Sequence, residues 1–416
     1  MIPVQRPYLV GAAAPGVEAV LSGGWLGAGP RVEEFKRSLR AAVGARHVVA
    51  VSSGTAALHL ALAALDLRAG DEVLVPSMTF VATVQAVLLA GGTPVFCDVR
   101  ADTLNLDPDD VARRVTPRSR VVLPVHYGGV PCDMDALLAL AAANGLRVVE
   151  DAAHAFGSSY RGRPVGSLGD VTCFSFDPIK NITCGEGGAV ATDDDAIARA
   201  VVRLRCLGIE PGSRSPPGRP APHPYTVTSV GYRYHLSDIN AAVGLSQLER
   251  AGEIRARKVA VVAAYDSAFA GLSWLTPFSR PADCFPFNYV VRVAGGGARD
   301  ALMQHLARHG VGSGVHYPPN HLQPAFARYH VSLPVTERLA DEILTLPLSA
   351  AMTGAEVATV IDAIHAFDAA APHDDDAVRP QRPRLYIDRQ HLGLAEPAPR
   401  HRVGSNREPV AGELNT

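Results

Sequence analysis

The sequence predicts an α/β fold in which helices cover both faces of a mostly parallel sheet. From residue 47 onward, short runs rich in valine and leucine alternate with segments of helical periodicity. Continuous apolar strands of this kind are typical of strands buried on both faces. With 416 residues and 47% hydrophobic content, the chain can bury a sizeable core divided among about two or three domains.

The predicted elements follow one another in regular alternation. The strands are HVVAVSS, DEVLVP, TPVFCDV, RVVLPVHY and LRVVED, which begin at residues 47, 71, 93, 120 and 146. The helices are TAALHLALAAL, VATVQAVLLAG and DMDALLALAAANG, which begin at residues 55, 81 and 133. Because ligands bind beyond the carboxyl ends of parallel strands, the residues that follow each strand are the candidates for function.

The pattern changes in the second half of the chain. Residues 210–224, EPGSRSPPGRPAPHP, are rich in Pro, Gly and Ser and predict a surface loop. Residues 236–272 predict two long helices, and beyond them strand FNYVVRV and helices RDALMQHLARHG and GAEVATVIDAIHAF indicate a smaller α+β domain. We therefore expect a large domain over 1–250 and a small one over 251–370. Residues 371–416 have many prolines and little periodicity, which predicts a poorly ordered tail.

The composition argues against several classes of protein. A formal charge of −2 provides no basic surface for nucleic acid, and no apolar run approaches the roughly 18 residues of a membrane span. The opening MIPVQRPYLV lacks the charged and apolar regions of a secretion signal. The six cysteines have no metal-ligand spacing. We therefore expect reduced thiols, no metal site and a cytoplasmic protein.

Lysine is rare in this chain, and one lysine has an unusual setting. Of the 39 basic residues, only those at positions 36, 180 and 258 are lysines. Lys180 lies in FSFDPIKNITCGEGG, between an aromatic alternation and a glycine-rich turn. An arginine stays charged, whereas a desolvated lysine amine can lose its proton and attack a carbonyl carbon. Lys180 is therefore a candidate nucleophile, and an ordinary surface lysine is the alternative.

Two further candidates follow strand ends. LRVVED ends in Asp151, a carboxylate that can hold a cation or, alternatively, cap the next turn. Ser53, Gly54 and Thr55 stand between a strand and a helix, where free N–H groups and the helix dipole favour a phosphate, although ordinary capping also explains them. Neither G-x-G-x-x-G nor G-x-x-x-x-G-K-[ST] occurs, which disfavours dinucleotides and nucleoside triphosphates.

Together these features meet the needs of pyridoxal 5′-phosphate (PLP), which uses a lysine, an acid for its ring nitrogen and a phosphate anchor. The ordered motifs SSGTAAL, PSMTF, EDAAHA, FSFDPIKNITCGEGG and GYRYHLSDINAAVG resemble those of the DegT/DnrJ/EryC1/StrS sugar aminotransferases, over roughly residues 2–368. The resemblance implies fold type I of the PLP-dependent transferases, with a large PLP-binding domain and a small C-terminal domain. It also implies a homodimer with shared active sites.

The resemblance implies a role for each motif residue. Lys180 is the implied Schiff-base lysine and proton carrier, and Asp151 the implied partner of the pyridine nitrogen. The implied cofactor contacts beside them are Ser53, Gly54, Thr55, Phe80, His154, Ser175 and Arg233. In FSF, strand alternation would turn both phenylalanines to one side and Ser175 to the other. The implied substrate contacts, which without the resemblance are ordinary loop residues, are His316, Tyr317 and His321.

One motif departs from the family's pattern. Many relatives have G-x-N-x-R where this chain has GYRYH at residues 231–235, and in them the Asn reaches the phosphate of the neighbouring subunit's cofactor. Arg233 replaces that Asn, and a guanidinium can bind phosphate oxygens in a forked geometry. A surface arginine is the alternative. The residues after Phe367 have no counterpart in the resemblance.

The implied reaction transfers an amino group from L-glutamate to a nucleotide-linked keto sugar in deoxyaminosugar biosynthesis. The motifs resemble members that act at C4 more than those that act at C3, so we expect a dTDP-4-keto-6-deoxyhexose as substrate and the 4-amino-4,6-dideoxyhexose as product. The alternatives are a 3-keto-sugar nucleotide, a keto-cyclitol or, in another class, a non-catalytic PLP-binding regulatory protein. Lys180 argues against a PLP dehydratase, and the missing dinucleotide motif argues against a sugar oxidoreductase.

Overall fold

The computed structural model describes residues 1–9, 13–213 and 225–369. Its strands are β1 His47–Val51, β2 Glu72–Pro76, β3 Thr93–Cys97, β4 Ser119–Val122, β5 Arg147–Asp151, β6 Ser159–Tyr160, β7 Arg163–Pro164, β8 Val171–Ser175, β9 Gly188–Thr192, β10 Leu275–Pro277, β11 Tyr289–Val293 and β12 Ile343–Leu346. Its α-helices are α1 Ala13–Gly23, α2 Pro30–Val43, α3 Gly54–Ala63, α4 Val81–Leu89, α5 Pro108–Arg114, α6 Met134–Asn144, α7 Asp195–Leu204, α8 Asp238–Leu248, α9 Ala251–Phe269, α10 Ala298–Arg308, α11 Pro334–Glu342 and α12 Gly354–His365. Short 3₁₀ turns occur at Tyr127–Gly129, Asn320–Leu322 and Pro324–Tyr329.

The large sheet has seven strands in the order β1-β9-β8-β5-β4-β2-β3. From β8 to β3 all neighbours are parallel, whereas β9 runs antiparallel to both β8 and β1. The predicted mostly parallel sheet is therefore confirmed. The predicted strand RVVLPVHY is shorter than expected, because Pro124 has no N–H for the ladder and β4 ends at Val122.

Helices cover both faces of this sheet, and alternate residues of a strand face opposite cores. One core contains side chains of α2, α6 and α8, and the other contains side chains of α3, α4 and α7. In β8, Phe174 and the following Phe176 both lie with ring centres 5.5 Å from that of Phe156, in the first core. Cys173 belongs to the second core. The predicted alternation around Ser175 is confirmed.

The C-terminal part builds a separate antiparallel sheet, β10-β11-β12. Its own hydrophobic core runs from Val261 to Ile364 and joins this sheet to α9, α10 and α12. The strand and helices predicted beyond residue 272 are therefore present. The predicted loop 210–224 is described only as far as residue 213, where the chain forms a turn, and the predicted tail 371–416 lies outside the described residues. None of the described helices is long and apolar enough to cross a membrane.

Candidate active site

The turn after β8 carries Lys180 to the carboxyl edge of the sheet. The N–H of Lys180 donates to the carbonyl of Asp177 over 3.0 Å, which closes a tight turn. The N–H of Phe176 donates to Gly187 O over 2.8 Å, and the N–H of Cys184 donates to Phe176 O over 2.9 Å. These bonds hold both ends of the loop, so the position of Lys180 is set by the backbone.

The side chain of Lys180 is partly buried, and its amine lies at the inner end, beside an aromatic ring. Its Nζ is 4.5 Å from the centre of the Phe287 ring. Burial lowers the pKa of Lys180 to about 8, and the carboxylates of Asp151 and Asp177 oppose this shift. A lysine in this setting loses its proton far more readily than an exposed one, as a nucleophilic amine requires.

Asp151 ends β5 as a buried carboxylate, with 4% of its surface exposed. The hydroxyl of Thr83 donates to its Oδ2 over 2.7 Å, and the N–H of Ala153 donates to its Oδ1 over 3.1 Å. Burial raises the pKa of Asp151. Among the described residues none forms a salt bridge with it. A buried carboxylate with two neutral donors can still accept a cationic N–H, which is what a protonated pyridine ring offers.

His154 lies three residues after Asp151 in a wall of aromatic rings. Its Nδ1 accepts from the N–H of Gly128 at 3.4 Å, so the neutral ring carries its proton on Nε2 and donates to Tyr317 Oη at 3.1 Å. Its ring stacks on Phe287 with centres 4.1 Å apart. Burial lowers the pKa of His154 well below its ordinary value, and the charge of Lys180 adds to the shift. His154 is therefore neutral.

Phe80 precedes α4 and is 54% exposed. Its ring centre lies 5.6 Å from that of Tyr317, which itself stacks beside His154. A phenylalanine at this exposure contributes little to a core, so the ring is available to a ligand at the site. Tyr317, predicted as a substrate contact, therefore lies beside Phe80 and His154, which are predicted cofactor contacts.

The candidate phosphate site is the start of α3. Ser53 caps the helix, since its Oγ accepts from the N–H of Ala56 over 3.1 Å, while the first N–H groups of the helix keep no intrahelical acceptor. A Cβ at Gly54 would lie 2.7 Å from Ser175 Cβ, and one at Gly188 would lie 2.3 Å from Ser53 O. Both glycines are thus needed for the turn to pack against β8 and β9. This contact brings the Ser175 hydroxyl beside the helix start and the exposed Thr55.

The two histidines predicted as substrate contacts differ in their surroundings, His316 being partly buried and His321 fully buried. His316 Nδ1 lies 2.9 Å from Thr345 Oγ1, and burial and the charge of Lys180 lower the pKa of His316. His321 is fully buried, with Nδ1 2.6 Å from Ser77 Oγ and Nε2 3.3 Å from Glu337 Oε1. His321 therefore differs from its predicted role, because both of its ring nitrogens are bonded within the chain.

Arg233 is exposed on the segment that borders β1. The N–H of Ser52 donates to Tyr234 O over 2.9 Å, so this segment pairs beside the strand. Tyr232 and Tyr234 pack on His59 of α3, with ring centres 4.5 and 6.0 Å from the imidazole. Strand alternation turns Arg233 away from α3. Within the described residues its guanidinium has no salt-bridge partner.

The structure also adds residues that the sequence analysis missed. Thr83 was detectable, because it lies in the first turn of α4, only three positions after the PSMTF motif that ends in Phe80. Phe287, Asn181 and Lys258 were not, because their contacts join segments about a hundred residues apart. No local pattern marks a side chain whose partner is so distant in the chain.

The geometry fits PLP at each position that the cofactor needs. The start of α3 with Ser175 offers N–H and hydroxyl donors to a phosphate. Phe80 offers an exposed ring beside the aromatic group that contains His154, Asp151 offers a buried carboxylate without a salt-bridge partner among the described residues, and Lys180 offers a readily deprotonated amine. PLP bound here supplies an electron-accepting ring, and these residues would hold it.

Comparisons with known proteins agree with this fit. TlmJ, an aminotransferase from Streptoalloteichus hindustanus, is 36% identical, with 88% of this chain and 98% of that one covered and a TM-score of 0.82. The sugar aminotransferase CalS13 from Micromonospora echinospora is 34% identical, with 88% and 99% covered and a TM-score of 0.81. Spr1654 from Streptococcus pneumoniae, solved in PLP and pyridoxamine-phosphate (PMP) forms, is 31% identical, with 87% and 97% covered and a TM-score of 0.80 for the PLP form.

The match extends to a whole family. The model of the DegT/DnrJ/EryC1/StrS aminotransferase family matches residues 9–365, which is nearly the whole described chain. The residue types at the site, the mixed sheet and the similar structures lead to one identification. The chain belongs to the DegT/DnrJ/EryC1/StrS family and is a PLP-dependent sugar aminotransferase of fold type I.

Proposed function

We propose that this enzyme transfers an amino group from L-glutamate to C4 of a dTDP-4-keto-6-deoxyhexose, giving the 4-amino-4,6-dideoxyhexose in deoxyaminosugar biosynthesis. The observation that carries the transamination is that the desolvated amine of Lys180 and the buried carboxylate of Asp151 lie near enough to shift each other's pKa. The sequence motifs favour C4 over C3. A 3-keto-sugar nucleotide and a keto-cyclitol are alternative acceptors, and a non-catalytic PLP-binding regulator is the alternative of another class.

Lys180 is the proposed proton carrier of both half-reactions. Once its Nζ is free of the cofactor, it accepts the proton released from the amino-acid Cα and later returns a proton to the carbon that receives the amine. A pKa of about 8 suits both steps, because the amine can hold or release a proton near neutral pH. The Phe287 ring, centred 4.5 Å from Nζ, covers one side of the amine.

Asp151 has the electrostatic role. As an anion, Asp151 would hold a proton on the ring nitrogen of bound PLP, and the cofactor would then supply a positively charged, electron-accepting ring. Thr83 orients the carboxylate through its 2.7 Å bond. Phe80, which is exposed, would offer its ring to the cofactor, and the neutral His154, whose ring stacks on Phe287, would lie beside it. Ser53, Gly54, Thr55 and Ser175 are the proposed phosphate ligands.

We also propose a homodimer with shared sites. The support is the position of Arg233, which is exposed and turned away from its own α3 while its two neighbours pack on His59. A guanidinium so presented can bind the phosphate held by the other subunit. His316 and Tyr317 are proposed to contact the sugar nucleotide at the mouth of the site. For His321 we propose a supporting role, since it joins Ser77 to Glu337 beneath that loop.

The domain boundaries and the location of the protein complete the proposal. We assign residues 1–250 to the PLP-binding domain and 251–370 to the small domain, because the core of the C-terminal sheet draws all its buried members from Val261 to Ile364. The expected location is the cytoplasm, where keto-sugar nucleotides and L-glutamate would both be available. Neither assignment affects the chemistry proposed for the site.

The acceptor is tested with the PMP-loaded protein and a panel of keto-sugar nucleotides. The protein is first converted with L-glutamate, and release of 2-oxoglutarate reports the first half-reaction. Each keto sugar is then added, and the product is identified by mass spectrometry and NMR. Amination at C4 of the dTDP sugar supports the proposal. Turnover confined to a 3-keto sugar or a keto-cyclitol would reject the C4 assignment, and no conversion by L-glutamate would reject the donor.

A further inference from the structure

A second lysine lies buried behind the site. Lys258, on α9, is 4% exposed. Its Nζ donates to Asn181 Oδ1 over 2.7 Å and to the carbonyl of Phe287 over 3.2 Å. Lysine is almost never this buried unless a carboxylate pairs with it. Among the described residues, no carboxylate lies within salt-bridge distance of Lys258.

The partners of Lys258 belong to the surroundings of Lys180. Asn181 directly follows Lys180, and its Nδ2 donates to Phe285 O over 3.2 Å. The centre of the Phe287 ring lies 4.5 Å from Lys180 Nζ and 5.5 Å from Lys258 Nζ. The two amines therefore share one aromatic ring, and one amide joins the loop of the first to the helix of the second.

Few charges are available to stabilise two ammonium groups here. Asp151 and Asp177 face Lys180, and the nearest acidic group that acts on Lys258 is the thiol of Cys284. The imidazoles of His154 and His316 face the same region and are neutral, because burial lowers the pKa of both. Two cations in such dry surroundings oppose each other, so charge on one amine disfavours charge on the other.

We propose that Lys258 is a positioning residue for Lys180, and that the two amines form a coupled pair in which a charge on either amine disfavours a charge on the other. This inference rests on the proposed role of Lys180 as the proton carrier. The direction of the shift agrees with it, since burial and the charge of Lys180 together lower the pKa of Lys258 to about 7. The protons of such a pair belong to both groups together.

The small number of lysines makes the coupling measurable in the intact protein. Labelling with lysine that carries ¹³C at Cε gives three signals, from Lys36, Lys180 and Lys258. The variants K36M, K180M and K258M each remove one signal and so assign all three. The PMP-loaded protein is titrated, because the amine of Lys180 is free of the cofactor in that form.

The proposal predicts different effects of two substitutions at position 258. In K258R the guanidinium stays charged throughout the titration, so the midpoint of Lys180 falls by about one pH unit. In K258M no charge remains at position 258, and because Lys258, with a pKa of about 7, has largely lost its proton where Lys180 titrates, the midpoint of Lys180 does not fall. K36M is the matched control and leaves the midpoint of Lys180 unchanged. In K180M the loss of the Lys180 charge raises the midpoint of Lys258 by about one pH unit.

The reciprocal measurement in K180M keeps the proposal testable if K258R does not fold. An unchanged midpoint for Lys180 in K258R, or for Lys258 in K180M, would overturn it, as would an equal fall of the Lys180 midpoint in K258M and K258R. The failure of the proposed function is distinguishable. If borohydride fixes PLP on a lysine other than Lys180, the proposed function fails; if PLP is fixed on Lys180 and no coupling is seen, only the coupling fails.

Discussion

The hydroxyl of Thr83 donates to Oδ2 of Asp151 across 2.7 Å, from the third residue of α4 to the last residue of β5. The N–H of Ala153 binds the other carboxylate oxygen at 3.1 Å. Two donors on two oxygens fix the plane of the carboxylate. The helix that begins beside Phe80 therefore also orients the carboxylate proposed to bind the ring nitrogen of the cofactor.

Thr83→Val should weaken both cofactor binding and catalysis, because a methyl group replaces the hydroxyl that orients Asp151. Loss of a buried hydrogen bond to a charged group corresponds to about a tenfold loss of PLP affinity. Binding is measured by absorbance titration of the PLP-free protein. Thr172→Val is a matched control, since Thr172 donates to Glu150 over 2.7 Å on the opposite face of β5. Equal losses of PLP affinity in the two variants would contradict the role given to Thr83.

Asp151→Asn should still bind PLP but should lose activity by about a hundredfold or more, because a neutral amide no longer keeps the ring nitrogen protonated. The rate of 2-oxoglutarate release from L-glutamate measures this loss. Glu150→Gln is the control on the neighbouring residue. The Oε2 of Glu150 lies 2.8 Å from Nε2 of the buried His126. That change should lower stability and leave the PLP-bound protein far more active than Asp151→Asn. An active Asp151→Asn enzyme would move the electrostatic role to another group.

The capture of PLP by the PLP-free protein should depend on pH through the amine of Lys180. Below its pKa of about 8 the amine is protonated and does not attack, so the rate should rise about tenfold per pH unit and level off above pH 8. An exposed lysine would continue to gain rate to about pH 10. Capture by a small amine in the same buffers corrects for the titration of PLP itself. A rate that still rises steeply at pH 9.5 would show that Lys180 is not desolvated.

Arg233→Ala should lower PLP affinity by about tenfold to a hundredfold if its guanidinium binds the phosphate, since charge-assisted bonds contribute roughly 1.5–3 kcal/mol. The effect should appear as a higher dissociation constant for PLP, measured by absorbance titration. The fold should be unchanged, because Arg233 is exposed. Arg257→Ala, on the exposed face of α9, is a control for the loss of one positive charge.

Mixing subunits tests whether Arg233 acts across the dimer. Lys180→Ala subunits are inactive, and Arg233→Ala subunits bind PLP weakly. If each site takes Lys180 from one chain and Arg233 from the other, a mixed dimer has one site with both changes and one with neither. Activity should return on mixing, toward one native-like site per mixed dimer. If exchange is demonstrated and no activity returns, the shared site is ruled out.

Much of the fold was predictable, because its signals are local. The valine-rich strands, the glycine-rich turn after Lys180 and the alternation of Phe174 and Phe176 each depend on neighbouring residues. The antiparallel strand β9 and the position of β1 at the sheet edge were not predicted, since strand order depends on packing over the whole domain.

The residues of the candidate site also fall into those that local sequence predicts and those that it does not. Lys180, Asp151 and the start of α3 stand in contiguous motifs, so their residue types and spacing were informative. Phe287 reaches Lys180 from 107 residues along the chain, and His321 turns inward to bond Ser77, which lies 244 residues earlier. Contacts of this kind depend on how the C-terminal part of the chain packs against the seven-stranded sheet. No periodicity within either segment encodes them.

The central claim is that one amine among three holds the cofactor. Borohydride reduction of the PLP-loaded protein fixes the cofactor on the lysine that bears it, and peptide mass spectrometry then identifies that lysine. We expect the modification on the peptide that contains Lys180, with none on Lys36 or Lys258 and none at all in Lys180→Ala. Modification of Lys258, or of Lys36, in place of Lys180 would contradict the account.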